Sequence, residues 1–445
     1  MRRLFFVFVV CMLFAPVAYA GETDHILNIL LKKGVISEQE YEAVKGELKT
    51  EGEKKQVQLN TKIAEAIEYN KPQEEGDGEW AKRIKLSGLF EGEYRWMESR
   101  DISDKDSDST SDLYLRRIEL GIEAGLTDWI NANAVLNSEF IGDDVNQGDE
   151  KITVDEATIT LQKEGFPLYL VIGKKAQPFG VFENHLITDP MTQDAFETKR
   201  VGLTLGATGP VGLDVSASLY KGEEQMDHLA GSALFDTDND DSTDIRAGEA
   251  GDDVGSYILS ASISPIEDHI QLFAAYLSEP GRGERNNTVG LGFTAGIPGI
   301  EGFRFDGEYM KALNREIYDG LDETFKEGAF SVTASYAVNN GDRGEDVGGA
   351  TFAERLAHVL EEPLHFAVRY ERFDDDDLAE ETSSWSAKNR YSLGVRYPFY
   401  RDKEKGLAAY VAAEYRYTDY RLHSSLEDTR TDNNQEMFAR LGVAF

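Results

Sequence analysis

The densest set of residues that could do chemistry is Asp236-Thr-Asp238-Asn-Asp240-Asp241-Ser-Thr-Asp244, whose alternating acidic oxygens are the donors that hard cations take. An EF-hand calcium loop needs glycine at its sixth position and glutamate at its twelfth, where this chain has Asp241 and Ala247. That motif is excluded, and the run reads either as a solvated loop or as a diffuse cation binder. Similar acidic runs stand at Asp101 to Asp112 and Asp374 to Asp377, and cations bridging such loops to anionic lipopolysaccharide is the expectation they raise. The seven histidines are scattered, with no H-E-x-x-H and no close pair on one strand face, so no defined metal site is expected. No G-x-S-x-G and no phosphate-cradling glycine loop with Lys-Ser/Thr is present. The single cysteine, Cys11, lies in a segment marked for removal, which leaves no thiolate nucleophile or ligand. The expectation is a protein without covalent chemistry and without a cofactor.

Charged side chains are instead arranged with a period of two. Lys85, Glu91, Glu93 and Arg95 alternate with Ile84, Leu86, Phe90, Tyr94 and Trp96; Arg117, Glu119 and Glu123 alternate with Ile118, Leu120 and Ile122. The same parity places Lys175, Arg304, Asp306, Glu308, Glu414, Arg416 and Arg440 on a polar face. Alternation of this kind is what a strand shows when its two faces meet different media. If the polar face lines a pore, these charges either set a transverse field or satisfy one another across strands; the sequence leaves both open.

The elements that must carry this pattern are long. Sixteen candidate strands run from Ile84 to Phe445, each about the 9–11 residues that a tilted membrane-crossing strand needs. Their connections alternate between short ones (Thr127-Asp128, Glu164 to Phe166, Gly209-Pro210, Pro265 to His269, Ile297 to Ile300) and long acidic or Gly/Asn-rich ones, as in outer-membrane barrels. The stretch from Asn339 to Pro363 breaks that rule, with a helical pattern at Phe352 to Leu360 where a short turn is expected. A soluble sandwich would also alternate, and the N-terminus decides between them. Arg2-Arg3, the apolar run Leu4 to Phe14 and Ala18-Tyr19-Ala20 read as a secretory signal. The organisation expected is a signal peptide over 1–20, a short periplasmic helical segment and linker over 21–78, with a capping box at Ser37 to Glu40, and a barrel over 79–445. The fold class is all-β: a transmembrane antiparallel up-and-down barrel of about 16 strands, located in the outer membrane of a Gram-negative bacterium.

Without Arg2 and Arg3 the balance is 44 basic against 82 acidic side chains, which argues against a nucleic-acid partner. The terminal Phe445, preceded by apolar residues at alternate positions, has the form of the signal read by barrel-insertion machinery. Small lipid-facing residues such as Ala132 and Ala134 suit a neighbouring copy, and a homotrimer is the expected assembly.

One segment stands apart. Gly173-Lys-Lys-Ala-Gln-Pro-Phe-Gly180 is followed by Val-Phe-Glu-Asn-His-Leu-Ile-Thr-Asp-Pro190 and, at 197–198, by Glu-Thr; it follows the fifth strand and so forms the third outer loop. G-K-x-x-x-P-F-G, then F-E and I-T-D-P, with E-T before the next strand, resembles the legiobactin-uptake (LbtU-type) siderophore porins and, more distantly, the phosphate-selective porins. The resemblance implies a plugless outer-membrane barrel that takes up a ferric siderophore without an energised plug. It does not fix ligand contacts. From position and polarity, Lys175, Gln177, Phe182, Glu183, His185 and Asp189 are the candidates to narrow the channel, while Pro178-Phe179-Gly180 reads as a rigid turn. The leading expectation is therefore a channel for small polar solutes. A general or ion-selective porin, a barrel enzyme and a structural or adhesive barrel are the alternatives.

Overall fold

The computed structural model describes residues 83–99, 106–143, 151–222, 229, 232, 234, 253–266, 269–281, 283–297, 299–316, 324–338, 363–381, 384–402, 406–426 and 431–445. The expected leader, the N-terminal helical segment, the Asp236 to Asp244 run and the helical pattern at Phe352 to Leu360 lie outside the described residues. The chain divides after Glu79, and the described residues belong to the second unit, Trp80–Phe445.

Sixteen strands run in succession. They are β1 (Ile84–Met97), β2 (Thr110–Gly125), β3 (Ile130–Ile141), β4 (Thr153–Gln162), β5 (Leu168–Ala176) and β6 (Lys199–Thr208). Next come β7 (Asp214–Lys221), β8 (Val254–Ile266), β9 (Ile270–Glu279), β10 (Asn286–Gly296), β11 (Phe303–Asn314) and β12 (Gly328–Val338). The last are β13 (Leu364–Asp374), β14 (Trp385–Asp402), β15 (Leu407–Leu422) and β16 (Asn433–Ala444), with one helical turn, α1 (Met191–Phe196), between β5 and β6 and a shorter one, α2 (Leu378–Glu381), between β13 and β14. Each strand pairs antiparallel with its sequence neighbours, and β1 pairs with β16, which closes the sheet. Gly88 and Phe445 exchange both backbone hydrogen bonds at that seam, at 2.9 and 3.0 Å. Closure leaves no strand edge, so every strand's backbone polar groups find partners without water.

The two faces separate as alternation predicts. Leu86, Leu205, Leu259, Leu291, Leu393 and Leu441 point outward and are exposed, while Glu91, Glu93, Arg95, Glu308, Glu371 and Glu414 point inward and are buried. A ring of exposed leucines around a closed sheet is the inverse of a water-soluble protein and fits a lipid surround. On four adjacent strands Phe330, Tyr370, Tyr391 and Tyr417 form a continuous outward row, with successive ring centroids 6.3, 5.2 and 6.3 Å apart. Such a row is the aromatic girdle of a barrel at its interface.

One register shift has consequences inside. Glu91 pairs with Arg117 but Gly92 pairs with Leu115, so Arg116 is an extra residue in β2. The bulge turns Tyr114 inward, where its hydroxyl donates to Glu93 at 2.5 Å. It also sets the Arg116 guanidinium 4.2 Å from the Phe140 ring centroid and 3.1 Å from Glu139.

Candidate functional site

The chain leaves β5 through Gln177, whose side-chain amide donates to the Arg200 carbonyl at 2.8 Å while its backbone N–H donates to the Thr198 carbonyl at 2.7 Å. These bonds pin the root of the loop. Gly180 then adopts φ of +144°, and a Cβ there would run into the Phe182 ring, so only glycine makes this bend without strain. Phe182 itself has φ of +49°.

From Val181 onward the loop reaches strands far from β5 and β6. Val181 N–H donates to Glu308 on β11 at 2.6 Å, and His185 Nε2 lies 2.8 Å from Asp306 Oδ2 on the same strand. Arg369 on β13 donates to Asn184 Oδ1 (3.2 Å) and to the carbonyls of Thr188 (2.9 Å) and Asp189 (3.1 Å). Glu371 on the same strand accepts Met191 N–H at 2.6 Å, and Arg390 on β14 pairs with Asp194 at 3.0 Å. Glu414 on β15 accepts Ile187 N–H (2.6 Å), Thr188 N–H (2.8 Å) and the Thr188 hydroxyl (2.6 Å). In a closed ring of sixteen strands β14 is eight places from β6. The loop therefore spans the lumen from one wall to the other.

Three wall carboxylates hold it. Glu308, Glu371 and Glu414 are at most 9 % exposed, and each receives loop N–H donors, the charge-assisted geometry that repays desolvation. Leu186 closes against Gly394 on β14, where an added Cβ would come within 2.5 Å of its Cδ2. α1 rests on β11, β12 and β13. Burial pushes the Asp194 carboxyl of α1 up to about 6, against the opposing pull of Arg390.

Around the loop root lies an apolar cluster. Phe179, Met191, Ala195 and Phe196 pack with inward-facing Tyr220, Ile258, Leu277, Met310, Ala329, Phe373 and Ala387, and with Phe325 and Leu378 from other loops. The lumen is thus dry on the β7 to β14 side at this height. No such cluster is legible in the charge pattern, but it has a signal of its own: inward positions on these strands turn apolar near their long-loop ends.

The sequence-derived residues fall into three settings. His185 and Asp189 sit in the crossing segment, Asp189 accepting from Asn184 Nδ2 at 3.1 Å. Glu183 borders, with Asp306 and Glu308, a cavity of about 10 Å³ behind the loop, and Phe182 packs on the apolar cluster. Lys175 and Gln177 belong to the root, Lys175 Nζ donating to the Ala176 carbonyl at 3.3 Å. Inward charges elsewhere on the strands pair with one another. Arg440 reaches Glu93 at 2.6 Å, Arg95 reaches Asp143 at 2.9 Å, and Arg416 reaches Glu436 at 2.6 Å. Arg117 lies between Glu91 (3.8 Å), Glu119 (3.8 Å) and Glu139 (3.3 Å), Lys85 meets Glu123 at 3.2 Å, and Arg304 is 4.0 Å from Asp306. Mutual satisfaction accounts for these contacts. In the acidic run on the β13–β14 loop, Asp375 is committed to Arg421, to Ser386 Oγ (2.7 Å) and to Ala379 N–H (3.1 Å). Asn184, Thr188, Asp194, Arg369, Glu371 and Arg390 are site residues that sequence reasoning missed. Arg369 and Glu371 repeat the parity of Asp306 and Glu308 and are legible on that ground; the loop residues have no comparable signal.

No family model matches the chain, and no curated protein matches it in sequence. Solved structures do. The outer membrane channel DcaP of Acinetobacter baumannii superposes with a TM-score of 0.53 at 13% identity, covering 81% of this chain and 97% of that one. Salmonella typhi OmpF, in complex with daunomycin, gives 0.52 at 13% identity over 81% and 97%. An anion-selective porin from Comamonas acidovorans gives 0.50 at 12% identity over 81% and 99%. The fold is that of the outer-membrane porins.

Proposed function

We propose that this chain is an outer-membrane diffusion channel for small polar solutes, gated in size by the loop between β5 and β6. One observation carries the reading: that loop is hydrogen-bonded to β11, β13, β14 and β15 through buried wall carboxylates, Arg369 and Arg390, and so divides the lumen. The secretory signal, the exposed apolar exterior and the porin-type fold support the outer membrane as its location. His185 and Asp189 border the narrowed passage in this reading, Glu183 and Phe182 lie between the loop and the wall, and Lys175 and Gln177 set where the loop begins. Planar-bilayer recording tests it: discrete open-channel steps are expected, and they enlarge when residues 181–192 are removed.

The finer reading is uptake of a ferric siderophore without an energised plug. Its support is the resemblance of about residues 167–206 to the legiobactin-uptake porins. Block of the current by a ferric siderophore at low concentration distinguishes it from a general porin, whose current does not saturate. Apolar small residues face outward on adjacent strands, Ala124 beside Ala132 and Ala134 beside Ala157, and support assembly as a homotrimer. The mass of the detergent-extracted complex checks that.

A further inference from the structure

A second segment reaches across the lumen, farther out than the crossing loop. Leu229, Ser232 and Leu234 belong to the connection between β7 and β8. Ser232 ties them into a turn. Its N–H and its hydroxyl both donate to the Leu229 carbonyl, at 3.1 and 2.6 Å, and Leu234 N–H donates back to Ser232 Oγ at 3.3 Å. The Leu234 carbonyl then accepts the Ala387 N–H of β14 at 2.6 Å. β14 is seven places from β7 in the closed ring, so the turn meets the opposite wall. Ala387 stands three residues beyond Arg390, the partner of Asp194. That is about 10 Å nearer the long-loop end of the strand.

The sheet leaves open the strand edge that receives this turn. β13 pairs with β14 only as far as Arg372 opposite Asn389, while β14 runs on to Trp385. Tyr420, which faces Ala387 from β15, donates its own N–H to the Asp432 carbonyl, away from β14. Antiparallel residues that do not bond each other both point their N–H groups away from the pair, so Ala387 N–H faces the side that β13 has left. A buried N–H needs an acceptor, and Leu234 supplies it. Leu229 and Leu234 are 2% and 0% exposed, packed in the same apolar cluster as Phe179 and Phe196 of the crossing loop. The two segments are held differently. Three buried carboxylates and Arg369 bond the crossing loop to the wall. Among the described residues, the turn has one backbone hydrogen bond to the wall and two leucines in an apolar cluster. Apolar contacts are non-directional, and the segment with fewer bonds opens at lower cost.

We infer that the turn carrying Leu229, Ser232 and Leu234 is a lid on the outer mouth of the barrel, docked by strand-edge pairing with Ala387 and able to lift while the crossing loop stays in place. This rests on the channel reading above and adds an outer, movable limit to the fixed one. Docked, its leucines complete the apolar cluster on the β7 to β14 side of the mouth. Lifted, it admits wider solutes on that side.

The test reads thiol labelling and current from the full chain, whose one native cysteine lies in the expected leader. A387C, M191C and S424C are each treated, as folded barrels in detergent, with a bulky maleimide. Ala387 is buried where the lid docks, Met191 is buried in the crossing loop, and Ser424 is exposed between β15 and β16 and sets the unprotected rate. A387C is expected to label at least about tenfold more slowly than S424C and still reach completion, as local opening implies. Adding L229S and L234S speeds A387C labelling about tenfold or more and leaves M191C as slow as before. In planar bilayers L229S/L234S shows a second, larger current level. A387C labelling as fast as S424C, never labelling with the leucines intact, or labelling at a rate the leucine changes do not alter overturns the lid. So does equal acceleration of M191C, or an existing current that L229S/L234S leaves unchanged. If no folded barrel carries current, the channel reading fails separately, and the labelling rates alone decide whether the turn docks and lifts.

Discussion

Glu414 holds the tip of the crossing loop by accepting from two backbone N–H groups and one hydroxyl. Glu414→Ala leaves those donors without their anionic partner and is expected to cost about 2–5 kcal/mol of loop docking. The measurement is single-channel conductance: a larger, noisier open state is expected, and an unchanged trace would mean that Glu414 does not hold the loop. Gly394→Val acts on the same contact from the opposite direction. The added side chain meets Leu186, and overpacking of this kind costs about 1–3 kcal/mol. A displaced tip should appear as an altered conductance with the barrel still folded. Asp194 supplies a pH dependence. Its carboxyl titrates at about 6, above the ordinary value of 3.8, so its contribution to the folded arrangement is full at acid pH and is lost as pH rises through 6. Lowering pH from 7.5 to 5 therefore seats α1 more firmly and removes one negative charge from the passage. The cation-to-anion permeability ratio should fall with a midpoint near 6, and Asp194→Asn should flatten that step.

Among the elements, the strands are the most legible part of the sequence because their two faces meet such different media. Sixteen strands, the seam from β1 to β16 and the inward parity of Glu91, Arg304, Glu308 and Glu414 all follow from period-two alternation. Alternation cannot foresee a bulge, because one extra residue changes which face every later side chain takes. Arg116 does this in β2 and brings Tyr114 inside. Deleting Arg116 should remove the bulge and leave Leu115 opposite Gly92 and Tyr114 opposite Glu93, keeping that bond while losing the contacts of Arg116 with Phe140 and Glu139. Thermal unfolding in detergent checks it, with a lower midpoint expected for the deletion. The crossing loop is legible only in part. Its glycine and proline residues announce a turn, but the partners that draw it over the lumen lie more than a hundred positions away on β11, β13 and β15, and no local pattern encodes those pairings.

At the scale of the whole molecule, a closed sheet with exposed leucines outside and paired charges inside has one stable setting, a membrane with water in the lumen. Phe445 finishes that closure: its backbone bonds to Gly88, and its ring lies 6.5 Å from that of Phe90. Removing Phe445 should lower the fraction of chain assembled in the outer membrane, measured by fractionation and resistance to unfolding in detergent. In the function proposed above, a water-filled passage survives beside the crossing loop and is limited by it. The decisive measurement is single-channel conductance of the full chain, compared with a variant lacking residues 181–192. Discrete current steps that become larger in the variant are expected. A folded barrel that passes no current, or that passes the same current with and without the loop, would contradict that dependence.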